Sequence, residues 1–264
     1  MDYQTLLIDQ RNGYVIVTMN RRQEMNALGR EMRSELDALF SELRKDDSTK
    51  AVIITGGDYV FCAGMDLKEM SALPDHEITT YFHSINQCLK RIYTFPKPVL
   101  AAVGGIALGG GFNLATVCDM IIASESAIFG HPELKFGLNP LFSPLHRLVG
   151  MAKAKEITMI GEPIGAKEAM RIGLVNKVAP PEDFMGEAVA MVERLVERSA
   201  MAIAAVKKMS EVTPGMEKGS ALDLEFTITA HLFSSAERKM RMSEFMTHEF
   251  MEKMKKSKGS FRHC

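Results

Sequence analysis

The chain has 264 residues, of which 46% are hydrophobic and 25% charged, a composition typical of a globular protein with one large domain or a domain and an appendage. With 32 Lys and Arg against 33 Asp and Glu, the formal net charge is -1, which argues against recruitment of nucleic acid or an anionic membrane by a global field. The N-terminal residues carry no signal pattern, no apolar run is long enough to span a membrane, and the four cysteines form no CxxC pair, so we expect a cytoplasmic protein with reduced thiols.

The first part of the sequence alternates strand and helix patterns. The predicted elements, in chain order, are strands at 6–10 and 14–19 about an Asn12-Gly13 turn, a helix over 28–43, a strand at 51–55, a helix at 78–92, a strand at 98–103, a helix beginning near Gly111 and a strand at 120–123. The regular order of strand, helix and strand predicts an α/β domain with parallel strands.

The pattern becomes purely helical after Pro180-Pro181. Residues 184–209 predict one long helix, and 221–254 hold one or two more. Five of the 20 methionines fall between Met240 and Met254, and four apolar residues spaced by four lie on one helix face: Met242, Met246, Phe250 and Met254. Methionine suits adaptable apolar surfaces, so this face is a candidate binding surface. The lysine-rich tail beyond Glu252 is interpreted as a solvated end.

Two glycine-rich segments follow predicted strands. Residues 104–111 (GGIALGGG) lack the GxGxxG order of a dinucleotide loop and the Gly-Lys-Ser/Thr of a Walker loop, and the chain has no GxSxG serine elbow. What remains is a glycine cluster at a helix start, where free N–H groups can face developing negative charge. Residues 61–70 (FCAGMDLKEM) have the same design, so the two loops together predict an oxyanion hole.

Seven segments together carry a family resemblance. They are 61–68 (FCAGMDLK), 97–103 (KPVLAAV), 107–111 (ALGGG), 118–119 (CD), 129–133 (FGHPE), 161–164 (GEPI) and 172–176 (IGLVN). In order and spacing, the sequence from about Leu6 to Phe250 resembles the enoyl-CoA hydratase/isomerase (crotonase) family.

The resemblance implies a crotonase-like spiral of ββα turns over residues 1–190 and a helical trimerisation region over 191–264. It also implies an acyl-CoA thioester substrate and a homotrimer or homohexamer. Coenzyme A is then part of the substrate, and we expect no separate cofactor, no metal, no nucleic acid and no membrane partner.

The resemblance assigns roles to four residues. The N–H groups of Met65 and Gly110 would hold the thioester oxygen, and Glu133 would move protons. The family's hydratases use a second glutamate, but this chain has Asn113 there, and an amide orients water without deprotonating it. One glutamate fits the double-bond isomerases, so isomerisation is favoured over hydration, although Asn113 is also compatible with a helix-start cap.

Several alternatives stay open from the sequence. The enzyme could be a hydratase, acting on a cyclic or conjugated acyl group, in which Asn113 holds the water. It could also be a non-catalytic family member that binds CoA or RNA. Decarboxylation or thioester hydrolysis would need a catalytic partner that the sequence does not identify.

Three further features near the expected site have interpretations of their own. His131 is interpreted as a packing or surface residue rather than one that tunes Glu133. The Met65 side chain either packs its loop or narrows the pocket. Residues 139–144 (NPLFSP) replace a glycine-rich turn, and we expect Phe142 to make this wall of the pocket bulkier.

The CoA contacts implied by the resemblance begin with the loop of Ala63, Gly64, Asp66, Leu67 and Lys68. Phe245 would close the CoA site of a neighbouring subunit. The basic residue expected three positions later is instead His248.

Overall fold

The computed structural model describes residues 3–246, which form two compact units with the boundary between Glu197 and Arg198. Its strands, in chain order, are β1 (Leu6–Arg11), β2 (Tyr14–Met19), β3 (Ala51–Thr55), β4 (Val60–Cys62), β5 (Val99–Val103), β6 (Ile106–Leu108), β7 (Met120–Ser124), β8 (Ile128–Gly130), β9 (Ile164–Gly165) and β10 (Lys177–Ala179). Its α-helices are α1 (Arg30–Leu43), α2 (Leu67–Ser71), α3 (Ile78–Tyr93), α4 (Gly110–Thr116), α5 (Ser143–Val149), α6 (Met151–Ile160), α7 (Ala166–Arg171), α8 (Phe184–Val196), α9 (Ala200–Val212), α10 (Lys218–Phe233) and α11 (Ala236–Met246).

The first unit is built on a six-stranded sheet in the order β1-β2-β3-β5-β7-β10. The predicted hairpin forms, with β1 and β2 antiparallel, and the other pairings are parallel. Both β3 and β5 are buried along their whole length, as expected of parallel strands covered on both faces. Alternate residues of β3 divide between two cores: Val52 and Ile54 join the core that includes α1 and α3, while Ile53 packs with α8.

A second sheet, in the order β4-β6-β8-β9, accounts for the spiral. Each of β3, β5 and β7 is followed at once by a three-residue strand, β4, β6 or β8, and then by a helix or a 3₁₀ turn. This repeat confirms the predicted crotonase-like fold. The sequence pattern missed the short strands because three residues are too few to show a period.

The continuous helix predicted over 184–209 is wrong. The helix ends at Val196 and a new one begins at Ala200, because Ser199 adopts an extended backbone and its hydroxyl accepts a hydrogen bond from the Ala202 amide. α8 packs on the sheet of the first unit, and the domain boundary predicted near residue 190 falls inside it.

The second unit contains α9, α10 and α11 among its described residues. Phe250, Met254 and the lysine-rich tail, for which a packing face and a solvated end were predicted, lie outside the described residues.

None of the helices between residues 3 and 246 is both long and apolar enough to cross a bilayer.

Candidate active site

A cleft of about 1030 Å³ opens in the first unit between the loops that follow β4, β6 and β8. Its apolar side includes Phe82, Ile85 and Leu89 of α3, which the sequence predicted to be helical but did not assign to a site. Nine residues predicted to bind or react line it together: Ala63, Gly64, Met65, Asp66, Leu67, Lys68, Gly110, Asn113 and Glu133. Residues predicted from segments far apart in the chain therefore lie around a single cavity.

The two glycine loops touch through their backbones because β4 and β6 are paired strands. Gly64 has φ +117, and a Cβ built on it would lie 3.0 Å from the Leu108 carbonyl oxygen and 3.3 Å from the Gly110 nitrogen. Both the backbone conformation and the close approach require glycine there. The loop after β4 is also held by hydrogen bonds from Leu28 N to Gly64 O and from Ala63 N to Met25 O.

Two amides remain available where the loops meet. Gly110 is the first residue of α4, so its N–H has no acceptor within the helix. Within residues 3–246, the backbone hydrogen bonds of these loops engage neither the Met65 nor the Gly110 amide. A Cβ built on Gly110 would lie 3.3 Å from Met65 N, so both donors border one small space. The pair has the form of an oxyanion hole.

Glu133 lies directly beside this space. It begins the 3₁₀ turn Glu133–Phe136, its side chain is 16% exposed, and its Oε1 would lie 3.4 Å from a Cβ built on Gly109. The loop that precedes α4 thus borders both the oxyanion space and a carboxylate. This is the arrangement that proton transfer next to a developing oxyanion requires.

His131 is a packing residue, as interpreted from the sequence, and not a surface residue: its ring lies against Phe112. The side chain is completely buried, and its Nδ1 lies 3.3 Å from each oxygen of Glu133. His131 and Glu133 are two positions apart in the sequence, but a sequence pattern does not predict the direction in which a histidine side chain points.

Asn113 lines the cleft from α4 and is nearly buried. The N-cap of α4 is Gly109, and Asn113 is the fourth residue of the helix with its backbone N–H donating to Gly109 O, so the helix-start cap alternative is wrong. The Asn113 Oδ1 is buried without a hydrogen-bond partner. Since buried polar atoms are normally paired, this oxygen is available to a ligand or a water.

The Asp66 carboxylate is occupied by the protein itself. It accepts hydrogen bonds from the amides of Lys68 and Glu69 at the start of α2, and from Arg21 Nη2 at 3.0 Å. Burial by itself would raise the pKa of Asp66, but these hydrogen bonds and the Arg21 charge outweigh it and lower the pKa below its usual value. The Lys68 side chain, by contrast, is exposed at the cleft.

Two arginines that support this loop were not predicted from the sequence. Arg21 also donates to Ala27 O. Arg33 is 3% exposed, donates to Leu28 O and lies over the Tyr81 ring at 4.4 Å. Their partners come from distant segments, so no local pattern identifies them.

The wall formed by 139–144 differs from the prediction. Asn139 and Leu141 line the cleft, whereas Phe142 packs against the core and stacks on His146 with ring centroids 5.4 Å apart. Leu141 is therefore the bulky residue of this wall.

Two further residues, Cys62 and Phe245, do not line the cleft. Cys62 precedes the loop, but burial raises the pKa of its thiol to about 12, so it is no nucleophile at neutral pH. Phe245 belongs to the second unit, where it lines a cavity of about 410 Å³ with Phe233, Arg238 and Met242.

Sequence and structure comparisons match this geometry to known proteins. The family model described as enoyl-CoA hydratase/isomerase matches residues 9–258. The chain is 34% identical to the short-chain-enoyl-CoA hydratase of Clostridium acetobutylicum, covering 97% of this chain and 99% of that protein. It is 32% identical to the crotonyl-CoA hydratase of Syntrophomonas wolfei, covering 93% and 96%. A crystal structure of enoyl-CoA hydratase from Bacillus anthracis superposes with a TM-score of 0.88 at 29% identity, covering 92% and 96%.

Proposed function

The chain belongs to the enoyl-CoA hydratase/isomerase family, and from that premise we propose that it moves the double bond of an enoyl-CoA thioester by proton transfer through Glu133. The observation that carries the proposal is the position of the Glu133 carboxylate beside Gly109, in the loop whose next residue supplies an oxyanion donor. The acyl-CoA is the substrate, and the reaction uses no further cofactor.

The substrate thioester oxygen binds between the N–H groups of Met65 and Gly110. When a proton leaves the α-carbon, the electron pair moves toward the thioester carbonyl and its oxygen becomes negatively charged. Backbone donors fixed by close-packed glycine loops stabilise that charge without rearranging, and one such donor is worth about 10²- to 10³-fold in rate.

Glu133 takes the proton from the α-carbon of a 3-enoyl-CoA and returns it to the γ-carbon of the dienolate. The double bond then lies between the α- and β-carbons, and the carboxylate is regenerated. Two other carboxylates line the cleft among the described residues, Glu24 and Asp66. Asp66 is committed to Arg21 and the start of α2, and Glu133 is the carboxylate that lies beside Gly109, so we assign both transfers to Glu133.

Hydration of a 2-enoyl-CoA is the second candidate, and a specific observation favours it. The unpartnered Asn113 Oδ1 in the cleft could accept a hydrogen bond from a water, which Glu133 would activate alone. The names of the relatives from C. acetobutylicum and S. wolfei also favour hydration. The non-catalytic alternative is less favoured, because the Glu133 carboxylate borders the cleft beside the loop that carries an oxyanion donor.

The remaining contacts are proposals of the same kind. The loop of Ala63 to Leu67 lies along the CoA chain, and the exposed Lys68 meets a CoA phosphate. Phe245 closes the CoA site of a neighbouring subunit in a homotrimer or homohexamer.

The test is to incubate the purified protein separately with 3-enoyl- and 2-enoyl-CoA thioesters and to identify the products chromatographically. We expect a 2-enoyl-CoA from the first substrate and little 3-hydroxyacyl-CoA from the second. The Glu133→Gln variant should lose about 10²- to 10⁴-fold in kcat. Glu125→Gln, at an exposed carboxylate, is the control and should be unchanged. Hydration faster than isomerisation would establish the second candidate, and equal rates for Glu133→Gln and wild type would refute both.

A further inference from the structure

The environment of His131 is more specific than packing requires. The imidazole is fully buried, and its Nδ1 lies 3.3 Å from both Oε1 and Oε2 of Glu133. Its Nε2 is buried with no hydrogen-bond partner among the described residues. The ring lies against Phe112, with centroids 4.6 Å apart and planes inclined by 35°. Phe112 belongs to the same helix as Gly110 and Asn113.

The position of the imidazole hydrogen follows from these contacts. A carboxylate offers only acceptors, so the nitrogen that faces it must carry the hydrogen. A doubly protonated ring would place a second N–H at Nε2, where residues 3–246 offer no acceptor. A buried donor without a partner is costly, whereas an unused lone pair at Nε2 leaves the ring neutral.

We propose that His131 is a positioning residue, neutral and protonated at Nδ1, that holds the Glu133 carboxylate toward the cleft by donating to both of its oxygens. The inference rests on the proposed function, because it assigns His131 a role in the proton transfers of Glu133. His131 does not touch the substrate, and no proton passes through it.

The equal distances have a consequence for the reaction. When Glu133 accepts a substrate proton on one oxygen, the Nδ1–H of His131 continues to donate to the other. When the proton is returned, the shared hydrogen bond is restored. The same donor therefore holds both the protonated and the ionised form of Glu133 without any rotation of the imidazole ring. Either carboxylate oxygen can carry the substrate proton.

Two substitutions at position 131 separate this role from packing. His131→Asn keeps a donor close to the place of Nδ1, because the asparagine amide nitrogen branches from the same carbon position. His131→Leu keeps comparable bulk and removes the donor. His146→Asn is the control, since that histidine lies on α5, contacts Phe142 O and does not line the cleft.

We expect His131→Leu to lower kcat by about 10- to 100-fold, part of the total that a positioned acid/base supplies, with KM changed less than about threefold. His131→Asn should recover most of that loss, and His146→Asn should match wild type. Thermal unfolding of each variant shows whether it is folded. A folded leucine variant with the wild-type kcat, or an asparagine variant no better than leucine, would overturn the inference.

Nitrogen NMR of the wild-type imidazoles tests the same arrangement without substrate. The His131 resonances are assigned by their loss in His131→Asn. We expect a protonated Nδ1 and an unprotonated Nε2, and the opposite tautomer or a doubly protonated ring would contradict the inference. If no enoyl-CoA is turned over but this tautomer is found, the proposed function fails while the His131–Glu133 arrangement stands. If Glu133→Gln is inactive but His131→Leu is fully active, only the positioning role fails.

Discussion

The side chain of Met65 lies directly over Gly110. A Cβ built on Gly110 would be 2.9 Å from Met65 Sδ, 3.3 Å from its Cγ and 3.3 Å from its amide nitrogen. The thioether therefore narrows the space beside the two oxyanion donors. The two roles left open for Met65 occur together, since the side chain packs against the core and also lines the cleft.

Gly110→Ala should lower kcat/KM by about 10²- to 10³-fold, the value of one oxyanion donor. The flexible thioether can move away from the new methyl group, but the Met65 amide cannot, so the methyl occupies the space meant for the thioester oxygen. Steady-state kinetics with the best substrate measure the effect.

The matched variant Met65→Ala removes the thioether and leaves the amide in place. It should retain kcat within about tenfold and improve turnover of thioesters branched near the carbonyl. The double variant should recover little of the loss caused by Gly110→Ala. Full recovery would mean that only the side chains conflict and that the amides are not the oxyanion donors.

Asn113→Asp should increase hydration of 2-enoyl-CoA by about tenfold or more, since a carboxylate accepts a proton from water and an amide does not. Asn113→Leu, of similar size, is the control and should gain no hydration. The rate of 3-hydroxyacyl-CoA formation is the readout. If wild type already hydrates well and the leucine variant does not, Asn113 itself holds the reacting water.

The ion pair of Asp66 and Arg21 should make the stability of the first unit sensitive to acid. The pKa of Asp66 is lowered in the folded protein, so its stabilisation is complete above the unfolded value of about 3.9. It is lost as the pH falls through the lower folded value.

Asp66→Ala should therefore lower the free energy of unfolding by about 1–3 kcal/mol at pH 7, through the lost helix cap and charged hydrogen bond. The difference should shrink in strong acid. Denaturant unfolding at several pH values measures it, with Asp66→Asn as the variant that keeps a cap without the charge. A difference that is constant with pH would rule out the charged role.

Self-association should depend on the apolar surface of the second unit. Met242 is 48% exposed and lines the same cavity as Phe245. Met242→Glu should weaken the proposed oligomer, because it places a charge in a surface that another subunit would cover. Ser243→Glu adds the same charge at the next, exposed position and should have less effect. Sedimentation velocity distinguishes them, and a Met242→Glu protein that sediments as wild type would assign this residue to ordinary surface.

The parts of the fold that could be predicted from the sequence are those marked by local residue patterns. Glycines at 64 and 110, each with neighbouring small residues, marked the two loops, and strand–helix alternation marked the parallel sheet. The sequence pattern did not predict the break at Ser199, because a helical pattern continues through it and a single cap hydrogen bond decides the end.

The residues that hold the catalytic loops in place were harder to predict. Arg21 reaches Asp66, and Arg33 lies over Tyr81, across distances in the chain that no spacing rule connects. His131 was noticed because it adjoins Glu133, but its burial depends on Phe112 packing from another element. Tertiary packing, rather than residue type, determines these roles.

The measurement that tests the central claim most directly is the fate of the proton during turnover of a 3-enoyl-CoA in deuterated water. Because Glu133 is mostly shielded from solvent and carries the same proton between two carbons, we expect a 2-enoyl-CoA in which the γ-carbon often retains hydrogen derived from the α-carbon. A 3-hydroxyacyl-CoA as the main product would contradict isomerisation, and one solvent deuterium at the γ-carbon of every product molecule would contradict the direct return of the same proton by a shielded Glu133.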